Sequence, residues 1–317
     1  MQKTKRQWAK VVDLNKCLGC QECSSACKMW WTNRDGAERM WWAMVETRPG
    51  PGFPKNWEQS TEKGNMPLAS DYGDVVNLEF ANLQTGDGTD EVRILPDEKL
   101  SFGPNWYGDV GEGTDPDNTW FFYMHLACMH CTDPACVKAC PNKAIYKRDD
   151  GIVLINQDLC KGHKACILAC PYKRIFWNKV LNSAEKCHSC FPRLEEGKAP
   201  VCASVCTAKA IFFGDLHDQS SKVHQLVVEH KVALPLHPEY GTKPNIYYIP
   251  PVLSATVSGT NKPSGDTIRI PDKYLEELFG PDVRKVKAVL VREREKVRKG
   301  LSSPLMDILT GYPTWDV

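Results

Sequence analysis

At 317 residues the chain has room for two domains, and 42% hydrophobic with 25% charged residues is ordinary for a globular protein. A formal net charge of +1 gives no global attraction to nucleic acid or to an anionic membrane. No apolar run nears the ~18 residues of a membrane helix, and Asn245–Pro251, the best attempt, is short and broken by proline.

In chain order, Met1–Arg6 runs straight into Trp8–Asp13 without an apolar signal core or paired arginines, so no export signal of its own is expected. Trp8–Asp13 alternates like a short strand and delivers the chain into the first cysteine block, Cys17-x2-Cys20-x2-Cys23-x3-Cys27. Residues 28–118 then read as a long, loop-rich insert. It begins with packed aromatics (Trp30, Trp31, Trp41, Trp42, with Met44), and residues 86–118 carry nine acidic side chains against Arg93 and Lys99. Thr119–Ala127 is a buried-strand candidate entering the second block, Cys128-x2-Cys131-x4-Cys136-x3-Cys140-Pro141. Ala144–Ile155 reads as strand, Asp-Gly turn, strand. The third block is Cys160-x2-His163-x2-Cys166-x3-Cys170-Pro171, followed by a strand at Arg174–Trp177. The fourth is Cys187-x2-Cys190-x11-Cys202-x3-Cys206, followed by a strand at Ala210–Phe213. Beyond Gly214 there is no cysteine; helices are expected at Ser221–His230 and at Asp282–Lys299, the latter opened by Pro281. Val283, Val286, Val289, Leu290 and Val297 would share its apolar face. Its other face is cationic, either merely solvated or docking an acidic partner.

All 15 cysteines fall in the four blocks. An odd count and close-spaced pairs fit a disulfide framework poorly. Zinc would leave C-x2-C-x2-C-x3-C unexplained, whereas that run holds an iron–sulfur cubane in bacterial ferredoxins, its fourth cysteine ligating the neighbouring cluster. The second and third blocks therefore exchange fourth ligands: Cys128, Cys131, Cys136 and Cys170 hold one cluster, and Cys140, Cys160 and Cys166 hold the other, with His163 at the vacant corner. By elimination, Cys17, Cys20, Cys23 and Cys206 form a third set, and Cys27, Cys187, Cys190 and Cys202 a fourth. Three [4Fe-4S] clusters and one [3Fe-4S] cluster are expected; the alternative is a fourth [4Fe-4S] cluster with His163 on iron. A third reading has His163 merely packed beside the cluster. His130 and His188 are expected beside clusters or at the surface, not on iron. No paired carboxylates, nucleophile elbow or phosphate loop points to substrate chemistry, so catalytic residues are not expected.

The fold class expected is α+β, with two pseudo-twofold-related ferredoxin-like modules. Module A comprises residues 1–27 and 172–216, and module B residues 119–171. The insert spans residues 28–118, and a helical and extended docking tail residues 217–317. The block order, with Val12–Cys20, Trp31–Gly36, Val45–Gly52 and Cys170–Ile175, resembles the iron–sulfur (beta) subunits of the dimethyl sulfoxide reductase superfamily, nitrate reductase branch. That branch includes perchlorate, chlorate and selenate reductases, dimethylsulfide dehydrogenase and ethylbenzene dehydrogenase. The resemblance implies an electron-transfer subunit between a molybdopterin-containing catalytic alpha subunit and a haem b gamma subunit or cytochrome c. By that likeness the Cys17 set faces the molybdenum subunit and the Cys140 set the haem side. The family often has tryptophan or tyrosine at the position of His163, together with [3Fe-4S]. The resemblance also leaves two locations open, periplasmic by co-export with the catalytic subunit or the cytoplasmic face of the membrane. The rival readings are a free-standing polyferredoxin, for which the insert and tail would be superfluous, and a zinc-stabilised scaffold.

Overall fold

The computed structural model describes residues 6–49, 121–252 and 270–317. The described residues up to Arg48, with 122–252 and 270–317, form one compact unit. The acidic stretch of the insert, residues 86–118, lies outside the described residues.

The compact unit is built on β1 (Trp8–Asp13), buried along its whole length. It leads through a cysteine loop into α1 (Glu22–Trp31), where Glu22 in the first turn and Lys28 in the last suit the helix dipole. Then come β2 (Met44–Pro49) and β3 (Phe121–Leu126), which pair with each other. The short helix α2 (Ala135–Lys138) precedes the hairpin β4 (Ile145–Lys147) and β5 (Val153–Ile155), as the Asp-Gly turn predicts. Helix α3 (Ala165–Ala169) precedes a second hairpin, β6 (Phe176–Asn178) and β7 (Ser183–Glu185). Helices α4 (Phe191–Glu195) and α5 (Val201–Ser204) lead to β8 (Ile211–Asp215). The second, third and fourth cysteine blocks thus each end in a turn and a strand.

The C-terminal segment, expected as a helical and extended docking tail, contributes strands to the sheet around β1. After α6 (Lys222–His224) and β9 (Leu234–Pro235), β10 (Ile246–Ile249) inserts beside β1, giving the order β8-β1-β10-β9. Val11 lies opposite Phe212 of antiparallel β8 and Tyr247 of parallel β10. β1 is buried at every position, so both of its faces are covered and it lacks a solvent-facing alternation. Beyond α6 the expected helix continues as a wide π turn over Gln225–Glu229, with His230 N–H donating to Gln225 O.

Helices α7 (Asp272–Phe279), α8 (Val283–Arg298) and α9 (Pro304–Thr310) close the unit. Ser303 caps α9, accepting from Met306 N–H, with Pro304 at its first position. Pro281 lies ahead of the α8 cap, Asp282, rather than within the first turn. The buried face of α8 carries Val283, Val286 and Leu290, while Val297 is exposed. Its cations are largely paired within the chain: Arg284 with Asp272 and Glu276, Lys285 with Asp282, Lys287 with Asp272, Lys296 with Glu293, and Lys299 with Glu295.

Candidate metal centres

Cys17, Cys20 and Cys23 come from the loop after β1 and the first turn of α1; Cys206 follows α5. These four line one cavity together with Val45 and His125. Helices α1 and α5 pack against each other, and one turn along α1 Cys27 lines a second cavity with Cys187, Cys190 and Cys202. Helices α2 and α3 make the corresponding contact. Cys140, Cys160 and Cys166 line a third cavity, with an exposed His163 among its walls. Cys128 lies close enough to Cys131, Cys136 and Cys170 to add, after burial, to the rise in their pKa values. Cys202 acts in the same way on Cys23, and Cys128 on Cys187. Among the described residues no three ligating side chains close to single-ion distance. The sulfurs surround gaps instead.

Burial, then the neighbouring sulfurs, pushes the Cys23, Cys131 and Cys136 thiols up to about 12, and Cys190 likewise. Cys27 is raised for the same reasons. Such crowded thiols ionise at neutral pH only when a cation takes their protons' place.

The sulfurs also receive hydrogen bonds. Ala144 N–H donates to Cys140 Sγ at 3.3 Å and Ala210 N–H to Cys206 Sγ at 3.2 Å. A backbone bond from Arg174 serves Cys170. In each case the preceding residue, Lys143, Lys173 or Lys209, takes a left-handed φ of 51° or 52°, turning the next N–H back toward the sulfur. Trp31 Nε1 donates to Cys190 Sγ at 3.2 Å, and Ser189 N–H to Cys187 Sγ at 3.4 Å. Lys10 Nζ stands 3.4 Å from Cys202 Sγ, and His125 Nδ1 3.4 Å from Cys23 Sγ.

The polar atoms left over test whether a sulfide-rich group fits. Trp42 Nε1, His125 Nε2, His130 Nε2 and His188 Nδ1 are buried without a hydrogen-bond partner among the described residues. Trp42 and His188 line the Cys27 cavity, and His125 the Cys17 cavity. An orphaned buried donor costs about 1–3 kcal/mol. Sulfide in the cavities would give such donors an acceptor, so the residues fit an iron–sulfur group. For His130 the tautomer is fixed by its neighbour: Val153 N–H donates to Nδ1 at 3.1 Å, which leaves the proton on Nε2. Burial holds the His130, His125 and His188 pKa values down, the last two to about 3 and about 4, so all three rings are neutral.

Sequence reasoning places His130 and His188 beside the cysteines but misses Lys10, His125 and Lys186. A lysine within a short strand carries no local signal of burial, because its burial depends on which distant segments pack over its face of the sheet. The expected aromatic packing divides: Trp42 is buried and Trp31 half-buried against His188, while Trp30 and Trp41 are exposed. In the Trp31–Gly36 stretch, Arg34 grips the buried Glu185 through two bonds of 2.8 and 2.6 Å, beside an Asn178 Nδ2 bond of 2.9 Å to the same carboxylate. This anchors the segment after α1 onto β7, next to Cys187.

Residues 119–216 match the family described as a 4Fe-4S dicluster domain. Over its full length the chain is 47% identical to the perchlorate reductase subunit beta of Dechloromonas aromatica, covering 97% of that protein. It is 45% identical to the selenate reductase subunit beta of Thauera selenatis, with 99% of this chain and 98% of that one aligned. With the dimethylsulfide dehydrogenase subunit beta of Rhodovulum sulfidophilum the identity is 46%, over 97% of each chain.

Proposed function

The chain belongs to the iron–sulfur beta subunits of the dimethyl sulfoxide reductase superfamily, nitrate reductase branch, and from that premise we propose how its centres are built and what they connect. Its role is electron transfer. Bound iron–sulfur clusters supply reversible one-electron chemistry.

Four centres are assigned: Cys17, Cys20, Cys23 and Cys206; Cys27, Cys187, Cys190 and Cys202; Cys128, Cys131, Cys136 and Cys170; and Cys140, Cys160 and Cys166. The observation that carries the assignment is the lining of three cavities: in two, sulfurs from segments nearly two hundred residues apart share one wall, and Cys140, Cys160 and Cys166 share the third. Cys23 beside Cys202 and Cys187 beside Cys128 support a continuous row in that order. The first three are [4Fe-4S] centres and the last [3Fe-4S]. The exposure of His163 supports that choice, since an imidazole on iron would be drawn into the cavity. The chain supplies thiolates, aims N–H groups at their sulfurs and excludes water around Cys187, Cys190 and Cys202.

The partners are a catalytic alpha subunit bearing molybdopterin and, at the Cys140 end, a haem b subunit or cytochrome c. The relatives' names cover reductases and a dehydrogenase at 45–47% identity, so likeness in this subunit does not discriminate the direction of electron flow. No described helix is long and apolar enough to cross a membrane. The location is periplasmic by co-export with the catalytic subunit, or the cytoplasmic face of a membrane. Anaerobic purification from native extract, with iron and acid-labile sulfide assay and electron paramagnetic resonance, tests the reading. Expected are copurification with a larger molybdenum-containing chain, fifteen iron atoms per beta subunit, and a [3Fe-4S]⁺ signal in the oxidised protein (about 15, from three cubanes and one three-iron cluster). A colourless chain migrating alone would overturn it, and stoichiometric zinc in place of iron would establish the scaffold reading.

A further inference from the structure

Lys10 is 3% exposed in the middle of β1, with both neighbouring strands in place. Its stem lies in the wall of the cavity lined by Cys27, Cys187, Cys190 and Cys202, and its Nζ is 3.4 Å from Cys202 Sγ. No carboxylate among the described residues pairs with it, and that sulfur is its one hydrogen-bond partner there. Lysine is almost never fully buried unpaired, because desolvating an ammonium costs several kcal/mol. An ammonium held there has only sulfur beside it among the described residues, with bulk water excluded and no carboxylate to offset its charge. A sheet interior that accepts a charge in this way needs an anion in the cavity to offset it. Four thiolates around iron and sulfide carry net negative charge, which is the complement required.

We infer that Lys10 is the resident counter-cation of the Cys27–Cys187–Cys190–Cys202 centre and raises its reduction potential. Reduction adds one negative charge to the cavity, and a fixed cation beside a ligand sulfur favours the more negative state. The water-poor surroundings leave that effect little screened. Lys186, the other buried lysine nearby, donates to the Val153 and Cys187 carbonyls and so is satisfied by peptide oxygens; Lys10 has only sulfur. The inference rests on the iron–sulfur reading of this cavity.

The test is a potentiometric titration of the purified complex followed by electron paramagnetic resonance, comparing wild type with Lys10→Met and Lys10→Gln. Methionine keeps the length and the apolar stem without charge or N–H; glutamine keeps an N–H donor without charge. Both are expected to hold full iron and to shift one titrating component downward, the others staying fixed. The shift corresponds to at least a tenfold change in that centre's reduced-to-oxidised ratio at a set potential (about 59 mV for one electron). Unchanged potentials in Lys10→Met would overturn the inference, as would a Lys10→Gln variant that titrates like wild type, since a hydrogen bond alone would then suffice. If Lys10→Met fails to assemble, the Lys10→Gln titration decides by the same criterion. A wild-type complex without iron or sulfide would instead overturn the cluster reading itself, a result separable from an iron-replete wild type with no shift in the variants.

Discussion

Gly19 lies between Leu18 and Cys20 with φ +68°, and a Cβ there would stand 2.5 Å from the Tyr123 ring. Backbone and space both exclude a side chain, so the loop that presents Cys17 and Cys20 closes only over glycine. Gly19→Ala is expected to remove the Cys17-set centre while sparing the others, read as a loss of about one quarter of the iron. Full iron content in this variant would refute that role for the loop. The three lysines at left-handed φ show the opposite solution. Lys143, Lys173 and Lys209 adopt a conformation that costs about 1–2 kcal/mol, which is the local cost of returning an N–H to a cysteine sulfur.

Among the elements, the β6–β7 hairpin depends on a side chain from outside itself. Glu185 is 1% exposed and its charge is matched by Arg34 and Asn178. Arg34→Ala leaves that carboxylate buried and under-satisfied, an expected loss of about 3 kcal/mol, at the low end of the range because Arg34 itself is partly exposed. Denaturant unfolding of the holoprotein measures it, and a change under 1 kcal/mol (about the worth of a surface pair) would contradict it. Helix α8 offers a pH test. Bonds from Lys296 and Ser303 hold the Glu293 carboxyl down to about 2 from 4.5. Its folded pKa is depressed, so the stability it contributes is complete above pH 4.5 and disappears as pH falls through 2. Glu293→Gln should therefore unfold more readily than wild type at pH 7, by the same margin at pH 6. Below pH 4.5 the gap should narrow, as followed by circular dichroism of the iron-free chain. A gap that widens on acidification would reverse the assignment.

At the scale of the whole molecule, the short helices α2, α3 and α5 cannot stand alone, since isolated helices under ~12 residues are marginal in water. Cys166 of α3 and Cys202 of α5, with the orphaned Trp42, His125 and His188 nitrogens, line cavities. Removal of iron under anaerobic conditions is expected to lose protease resistance across residues 128–206, while the β8-β1-β10-β9 sheet resists longer. Equal resistance with and without iron would show that the protein part suffices.

The cysteine blocks, the strand-turn-strand at residues 144–155 and the strands after Cys170 and Cys206 are all legible in the sequence. They are local: thiolate spacing, Asp-Gly turn chemistry and β-branched runs act over a few residues, and a ligand set must close whatever surrounds it. The Asp282–Lys299 helix is legible too, but not the fate of its cations, since pairing Arg284 and Lys287 with Asp272 needs α7 folded alongside. Only the tertiary structure turns residues 246–249 into a neighbour of β1, and only it sets Lys10, buried, beside Cys202. Solvent exclusion at a residue is decided by segments far from it in sequence, and so it cannot be read one window at a time.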